Sequence, residues 1–291
     1  MHSAFGDIIG HELQLSYLSK TLERGSTAHA YIFAGPRGVG KTAIAERFAC
    51  ALLGTQQAAS VQAHPDFMRV SRPVEETEGG RKRDISIESV RELTARLSLA
   101  AIHGTKVAII DDADAMGIGA QNALLKTLEE PSGHAIIILI TDDIEEILPT
   151  IRSRSVPLAF ARVRSESVEL ALTERGTSPE LAREICLRSL GRPGVALALL
   201  DMEVFQSVKD AEAKIRAFLE KPRAQQIAEV GKLAKAESSG EREAWFETLA
   251  RELRMDLPRR ADALSALLDA RSSLKKNANT SLALEHIALS L

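Results

Sequence analysis

A chain of 291 residues, 45% hydrophobic and 26% charged, is long enough for two or three domains with substantial cores and has an ordinary globular composition. Its formal net charge of −3 excludes a global pull toward nucleic acid, so any DNA contact must come from a local basic surface or from a partner's field. Cys50 and Cys186 stand far apart with no C-x-x-C partners, which excludes a disulfide framework or a zinc site argued from sequence.

The start Met1-His2-Ser3-Ala4-Phe5-Gly6-Asp7 has no basic stretch leading into an apolar run. The longest apolar run, Ala135 to Ile140, is far too short to span a bilayer, so a cytoplasmic protein without membrane contact is expected.

Ala30-Tyr31-Ile32-Phe33-Ala34 suits a short buried strand, and Ala43 to Leu53 places Ile44, Phe48 and Leu52 at helical spacing. Between them Gly35-Pro36-Arg37-Gly38-Val39-Gly40-Lys41-Thr42 reads G-x-x-x-x-G-K-[ST], a phosphate loop where a strand turns into a helix. Its glycines allow the backbone to wrap phosphate oxygens, and the free N–H groups and dipole of the next helix attract an anion. Lys41 is predicted to bridge the β- and γ-phosphates of ATP and Thr42 to ligate Mg²⁺.

Further strands are predicted at Phe67 to Ser71, Lys106 to Asp111 and Ala135 to Ile140. Helices are predicted at Ser89 to Leu99 and Ala120 to Leu128, the second closed by Pro131. The alternation argues for a mainly parallel sheet covered by helices on both faces. The loop Arg72 to Asp84 is polar and breaker-rich, and its Arg81-Lys82-Arg83 triplet reads either as a phosphate contact or as a solvated loop tip.

From about Ser165 strand signals vanish. Ser165 to Arg175 and a helix opened by Ser178-Pro179 and ended at Gly191 form a short pair. Helices then follow at Glu203 to Glu220, Ala224 to Ala236, Arg242 to Met255, Arg259 to Lys276 and Ser281 to Leu289.

A phosphate loop needs an acidic partner for its metal, and Asp111, at the end of the strand beginning at Lys106, is the expected Mg²⁺ ligand. Asp112 occupies the place where many such ATPases carry a glutamate to orient water. Its side chain is one methylene shorter, a displacement that can lower turnover on the order of 10²-fold while sparing binding.

Several stretches carry a resemblance: Phe5-Gly6-Asp7-Ile8-Ile9-Gly10-His11, the phosphate loop, His64-Pro65-Asp66, Lys106 to Asp114, Asn122-Ala123-Leu124-Leu125-Lys126-Thr127-Leu128-Glu129-Glu130-Pro131, and Thr150-Ile151-Arg152-Ser153-Arg154-Ser155. Over Phe5 to about Leu200 the chain resembles the bacterial clamp-loader subunits of the AAA+ class, most closely the delta-prime kind of DNA polymerase III. The resemblance implies an α/β fold, in which a P-loop AAA+ parallel-sheet domain (1–163) is followed by a small helical lid (164–202) and an all-α C-terminal bundle serving as oligomerisation collar (203–291). It implies a hetero-pentamer with gamma/tau and delta-like subunits that loads a sliding clamp onto primed DNA. The clamp is then an indirect partner, and DNA is met through backbone phosphates.

By the same resemblance Ile8 and Ile9 flank the adenine, and Gly35, Gly38, Val39, Gly40, Lys41, Thr42 and Asp111 hold the phosphates and metal. Thr141 is the sensor near the γ-phosphate, and Arg154 is an arginine finger directed into a neighbouring subunit's site. Read without it, Arg154 is a surface arginine in a salt bridge.

The chain departs from the family pattern at three points. Ser155 replaces a usual cysteine, the segment Leu53 to Ala63 lacks the cysteines of a zinc module, and Gly194 stands where motor subunits carry an arginine, with Arg192 two residues away. Ser155 is near-isosteric and leaves Arg154 in play, whereas Gly194 and Asp112, where a motor carries arginine and glutamate, favour a stator that donates Arg154 over a motor ATPase such as a gamma/tau-like or replication-factor small subunit. A scaffold with a relic phosphate loop is the third reading, opposed by the retention of Lys41, Thr42 and Asp111.

Overall fold

The computed structural model describes residues 4–291 apart from 56–57, 74–75, 78–80, 83, 103, 132, 235–238, 256 and 276–277. The chain forms two compact units, Met1–Pro73 with Asp84–Ala198, and Val74–Arg83 with Leu199–Leu291.

In the first unit the order is α1 (Glu12–Arg24), β1 (Ala30–Ala34), α2 (Lys41–Leu53), α3 (Ala58–Val61) and β2 (Phe67–Val70). The short hairpin β3 (Glu76–Thr77) and β4 (Arg81–Lys82), which belongs to the second unit, interrupts it. Arg81 and Lys82 are thus strand residues, whereas Arg83 of the basic triplet lies outside the described residues. The first unit resumes with α4 (Ile87–Ser98), β5 (Lys106–Ile110), α5 (Ile118–Glu129), β6 (Ala135–Thr141), α6 (Pro149–Arg152) and β7 (Val156–Ala159). The helices α7 (Ser165–Glu174), α8 (Pro179–Ser189) and α9 (Pro193–Ala198) complete it.

The sheet runs β2-β5-β6-β1-β7, every pairing parallel. Parallel strands need both faces covered, and successive side chains point to opposite faces, so each strand feeds two cores. Ile32, Ala108, Ile110 and Leu139 pack with Val90, Leu93, Leu97, Leu124 and Leu128 of α4 and α5. Tyr31, Phe33, Val107, Ile109 and Ile138 pack with Leu15, Leu18, Ile44 and Phe48 of α1 and α2. The α/β expectation is met.

β7 closes one edge of the sheet. Phe160 N–H donates to the Ala34 carbonyl at 2.7 Å, so the alternation of the pleat turns the backbone of Pro157 and Ala159 away from β1. Proline has no N–H to leave open there, and Gln14 of α1 donates to the outward Ala159 carbonyl at 2.5 Å.

The second unit contains α10 (Met202–Leu219), α11 (Arg223–Ala234), α12 (Ser239–Met255), α13 (Leu257–Lys275) and α14 (Thr280–Ser290). Its core joins Ile215, Phe218, Val230, Phe246, Leu249, Leu253, Leu267 and Leu284. α13 has a kink at Arg260, just after Pro258. Across α10 and α12, buried Arg251 donates to buried Glu212 at 2.8 Å, and Arg216 forks onto Glu252 at 2.8 and 3.0 Å. Among the described residues no helix is long and apolar enough to cross a membrane.

Candidate nucleotide-binding site

The sheet's topology places the C-terminal ends of β1, β2, β5 and β6 together, and the loop between β1 and α2 lies over them. Gly35 N–H donates to the Thr141 carbonyl at 3.2 Å, tying the loop to β6. At Gly35 a Cβ would lie 2.0 Å from the Phe160 carbonyl oxygen, so only glycine lets the chain pass so close. Gly38 adopts φ +81°, and a Cβ there would lie 2.7 Å from the Val195 side chain of α9. α2 then opens from Gly40 without a side-chain cap, leaving its first amides available to an anion.

Around this loop lies a cavity of about 440 Å³ lined by Lys41, Thr42, Arg69, Asp111, Asp142 and Gly194, with Arg37 and Asp112 at its wall. Lys41 is buried and folded back: its Nζ donates to the Gly35 carbonyl, to the Pro36 carbonyl at 3.0 Å and to Asp142 at 2.8 Å. A lysine so placed is a positive charge at the mouth of an amide cradle, partly neutralised by Asp142. The cradle fits an anion.

The residues expected to hold Mg²⁺ are also together. Thr42 Oγ1 donates to Asp111 Oδ2 at 3.4 Å. That same oxygen accepts from Arg69 at 2.5 Å, and Arg69 bonds Glu46 at 2.6 Å. A cationic group is therefore already seated on the carboxylate, and as arranged this donor set does not fit a divalent cation.

Asp112 has left-handed backbone (φ 54°, ψ 48°) beside Asp111. Burial pushes its carboxyl above the usual carboxylate range; nearby Arg37 opposes this, while Asp111 and Asp114 add to it. Thr141 is buried at the end of β6, its single hydroxyl proton shared between the Asp143 carbonyl at 2.8 Å and Asp114 Oδ1 at 3.2 Å. The neighbouring Asp142, not singled out from sequence, lines the cavity instead.

Ile9 is buried and Ile8 is partly buried against the core containing Phe33, Val39 and Phe160. Between this segment and the loop stands His11, whose Nε2–H donates to the Val39 carbonyl at 2.8 Å and whose ring meets Phe160 edge-on at 5.1 Å. Asp7 pairs with Arg47 of α2 at 2.5 Å and with Arg175 after α7 at 3.4 Å.

The short helix α9 reaches this site by backbone. Gly194 N–H donates to the Gly38 carbonyl at 2.8 Å, and a Cβ at Gly194 would lie 2.9 Å from that oxygen. Arg192 is buried with its Nε–H donating to the Ser189 carbonyl at 3.1 Å.

Arg154 follows α6, partly exposed. It donates to the Thr150 carbonyl at 3.1 Å and pairs with Glu129 of α5 at 2.9 Å, while Arg152 pairs with Glu145 at 2.7 Å. The guanidinium lies at the surface and not in the core.

Sequence reading also passed over Arg69. Its signal was an arginine inside an otherwise apolar strand, Phe67–Val70, leading toward Asp111's neighbourhood.

The profile of the family described as DNA polymerase III, delta subunit matches residues 10–164. The chain belongs to that family. This delta-subunit family member is 35% identical over 223 residues to DNA polymerase III subunit delta' of Pseudomonas aeruginosa, across 70% of its own length and 64% of the relative's. It is 34% identical over 180 residues to DNA polymerase III subunit tau of Bacillus subtilis, across 56% and 30%. The chain thus spans less than two thirds of these relatives. A DNA polymerase III gamma subunit-related protein of Thermotoga maritima shares the fold, with a TM-score of 0.50 at 20% identity over 95% of this chain and 97% of that one. The phosphate loop, Asp111 and Arg154 all fall within the family match, whereas Ile8, Ile9 and Gly194 fall outside it.

Proposed function

We propose that this delta-subunit family member is a clamp-loader subunit of the DNA polymerase III holoenzyme with a stator role. It binds ATP between Gly35 and Thr42, with Ile8 and Ile9 beside the adenine, and turns it over weakly at most. It presents Arg154 to the nucleotide site of a neighbouring subunit. Residues 1–163 form the nucleotide-binding domain, 164–202 the lid and 203–291 the collar that joins gamma/tau and delta-like subunits in a hetero-pentamer. The sliding clamp is engaged indirectly, primed DNA through its backbone phosphates, and the protein works in the cytoplasm.

One observation carries the stator reading: Gly194 lies backbone to backbone on Gly38. A side chain there would collide with the phosphate loop, so the lid cannot deliver the arginine that the resemblance gives to motor subunits at this position. Arg192 does not replace it, because its guanidinium is turned to the Ser189 carbonyl. Asp112 works in the same direction, being short and held toward its neutral form by burial.

In this reading the loop amides and Lys41 orient the phosphates, and Lys41 leaves Asp142 to do so. Arg154 exchanges Glu129, an exposed carboxylate of its own chain, for a neighbour's phosphate. Such a swap costs little, since an exposed ion pair is worth about 0–1 kcal/mol.

The test is Arg154→Ala in the reconstituted loader. Turnover at the one site this arginine completes should fall on the order of 10³-fold, while this subunit's own ATP affinity stays unchanged. Phosphate release and fluorescent-nucleotide titration measure the two quantities; unaltered turnover removes the finger assignment. Rapid turnover by the chain alone would favour the motor reading.

A further inference from the structure

Arg69 enters the cavity from β2 beside Lys41 and Thr42, and it is firmly held there. One nitrogen donates to Glu46 of α2 at 2.6 Å and the other to Asp111 Oδ2 at 2.5 Å, with the two carboxylate side chains only 18% and 16% exposed. Two charge-assisted hydrogen bonds from one planar fork fix both its position and its orientation. Asp111 Oδ2 also accepts from Thr42 at 3.4 Å. Arg69 therefore occupies the carboxylate oxygen shared with Thr42, one of the two groups that a phosphate-loop site commonly offers to a divalent ion.

A guanidinium there supplies a permanent positive charge and N–H donors, but no coordination positions. An incoming divalent cation would meet a like charge and a carboxylate oxygen already in use. Arg69 faces the same cavity as Lys41 and the loop amides, so a positive charge already stands on the wall where the nucleotide tail would lie.

Resting on the nucleotide reading above, we propose that Arg69 takes the place of the divalent cation, so that this pocket holds a nucleoside triphosphate free of metal. Its negative charge is met by Arg69, Lys41 and the backbone amides of the phosphate loop. Arg69 is here a binding residue, and no bond is made or broken by it.

Calorimetric titration of the full chain with ATP, in magnesium chloride or in EDTA, tests this on the wild type and on Arg69→Gln. The wild-type affinity should agree within about twofold between the two buffers. In EDTA the variant should bind about ten- to a hundredfold more weakly, the worth of a charge-assisted hydrogen bond. Magnesium should restore part of that loss, since Asp111 is then released. Wild-type binding that collapses in EDTA overturns the proposal, as does a variant that binds in EDTA as tightly as the wild type. Should Arg69→Gln fail to fold, the wild-type comparison decides alone. Binding that depends on magnesium removes only the role of Arg69, whereas no binding in either buffer removes the nucleotide reading with it.

Discussion

His11 shows how one residue couples the N-terminal segment to the phosphate loop. It has left-handed backbone (φ 65°), directly precedes α1, and its ring is buried with Nε2–H committed to the Val39 carbonyl. Burial holds its pKa below the ordinary 6.5, against the opposing effects of that hydrogen bond and of Glu12. Because the folded value is the lower one, the unfolded chain takes up the proton first as pH falls. The contribution to stability is complete above pH 6.5 and is lost as pH drops through the depressed folded value. Urea midpoints measured on either side of pH 6.5 should therefore show an acid-side loss that His11→Gln reduces. Equal acid sensitivity in the variant would assign the loss to other groups. His11 closes one of the stretches that carry the resemblance, but this role is not written there, since its partner Val39 is 28 residues away.

Among the elements, those with a self-contained signal were legible. Four apolar runs became β1, β2, β5 and β6 within a residue or so of their expected ends, and Ser178 caps α8 by accepting from Leu181 N–H as its Ser-Pro signature implies. β7 was not, because Pro157 argues against a strand and its side chains are only half buried, as suits an edge. α1 was not, because His11 gives it no side-chain cap to announce its start. The candidate site divides in the same way. The loop and Asp111 are written in a local motif, whereas the Arg69 pair with Asp111 spans 42 residues and the Lys41 pair with Asp142 spans 101, and both exist only because parallel strands bring their ends together. The contact of α9 with the loop gives a prediction at this scale. Gly194→Arg should back the short helix off Gly38, break its hydrogen bond and cost about 1–3 kcal/mol, as overpacking does. A urea midpoint of the variant equal to that of the wild type would mean that the contact is dispensable.

At the level of the whole chain, separate cores imply separate responses. The single tryptophan, Trp245, lies in the second unit and packs edge-on against Phe218 and Phe246 at 5.6 Å. The phosphate loop lies in the first unit. A ligand that binds only the folded first unit stabilises that unit by mass action, about 2.7 kcal/mol at a hundredfold excess over Kd. ATP should therefore shift the urea transition followed by far-ultraviolet circular dichroism and leave the Trp245 fluorescence midpoint in place. A joint shift would show that the two cores unfold as one.

The blunt rim formed by Pro157 and the Gln14 contact to Ala159 bears on how such a chain can live beside its own relatives. A five-stranded parallel layer offers an open ladder to any extended segment that drifts past. Here one donor is missing and one acceptor is occupied, so β-augmentation along this side finds little to grip. Along this side any neighbour is left to meet the chain through side chains, which can discriminate, instead of through backbone, which cannot.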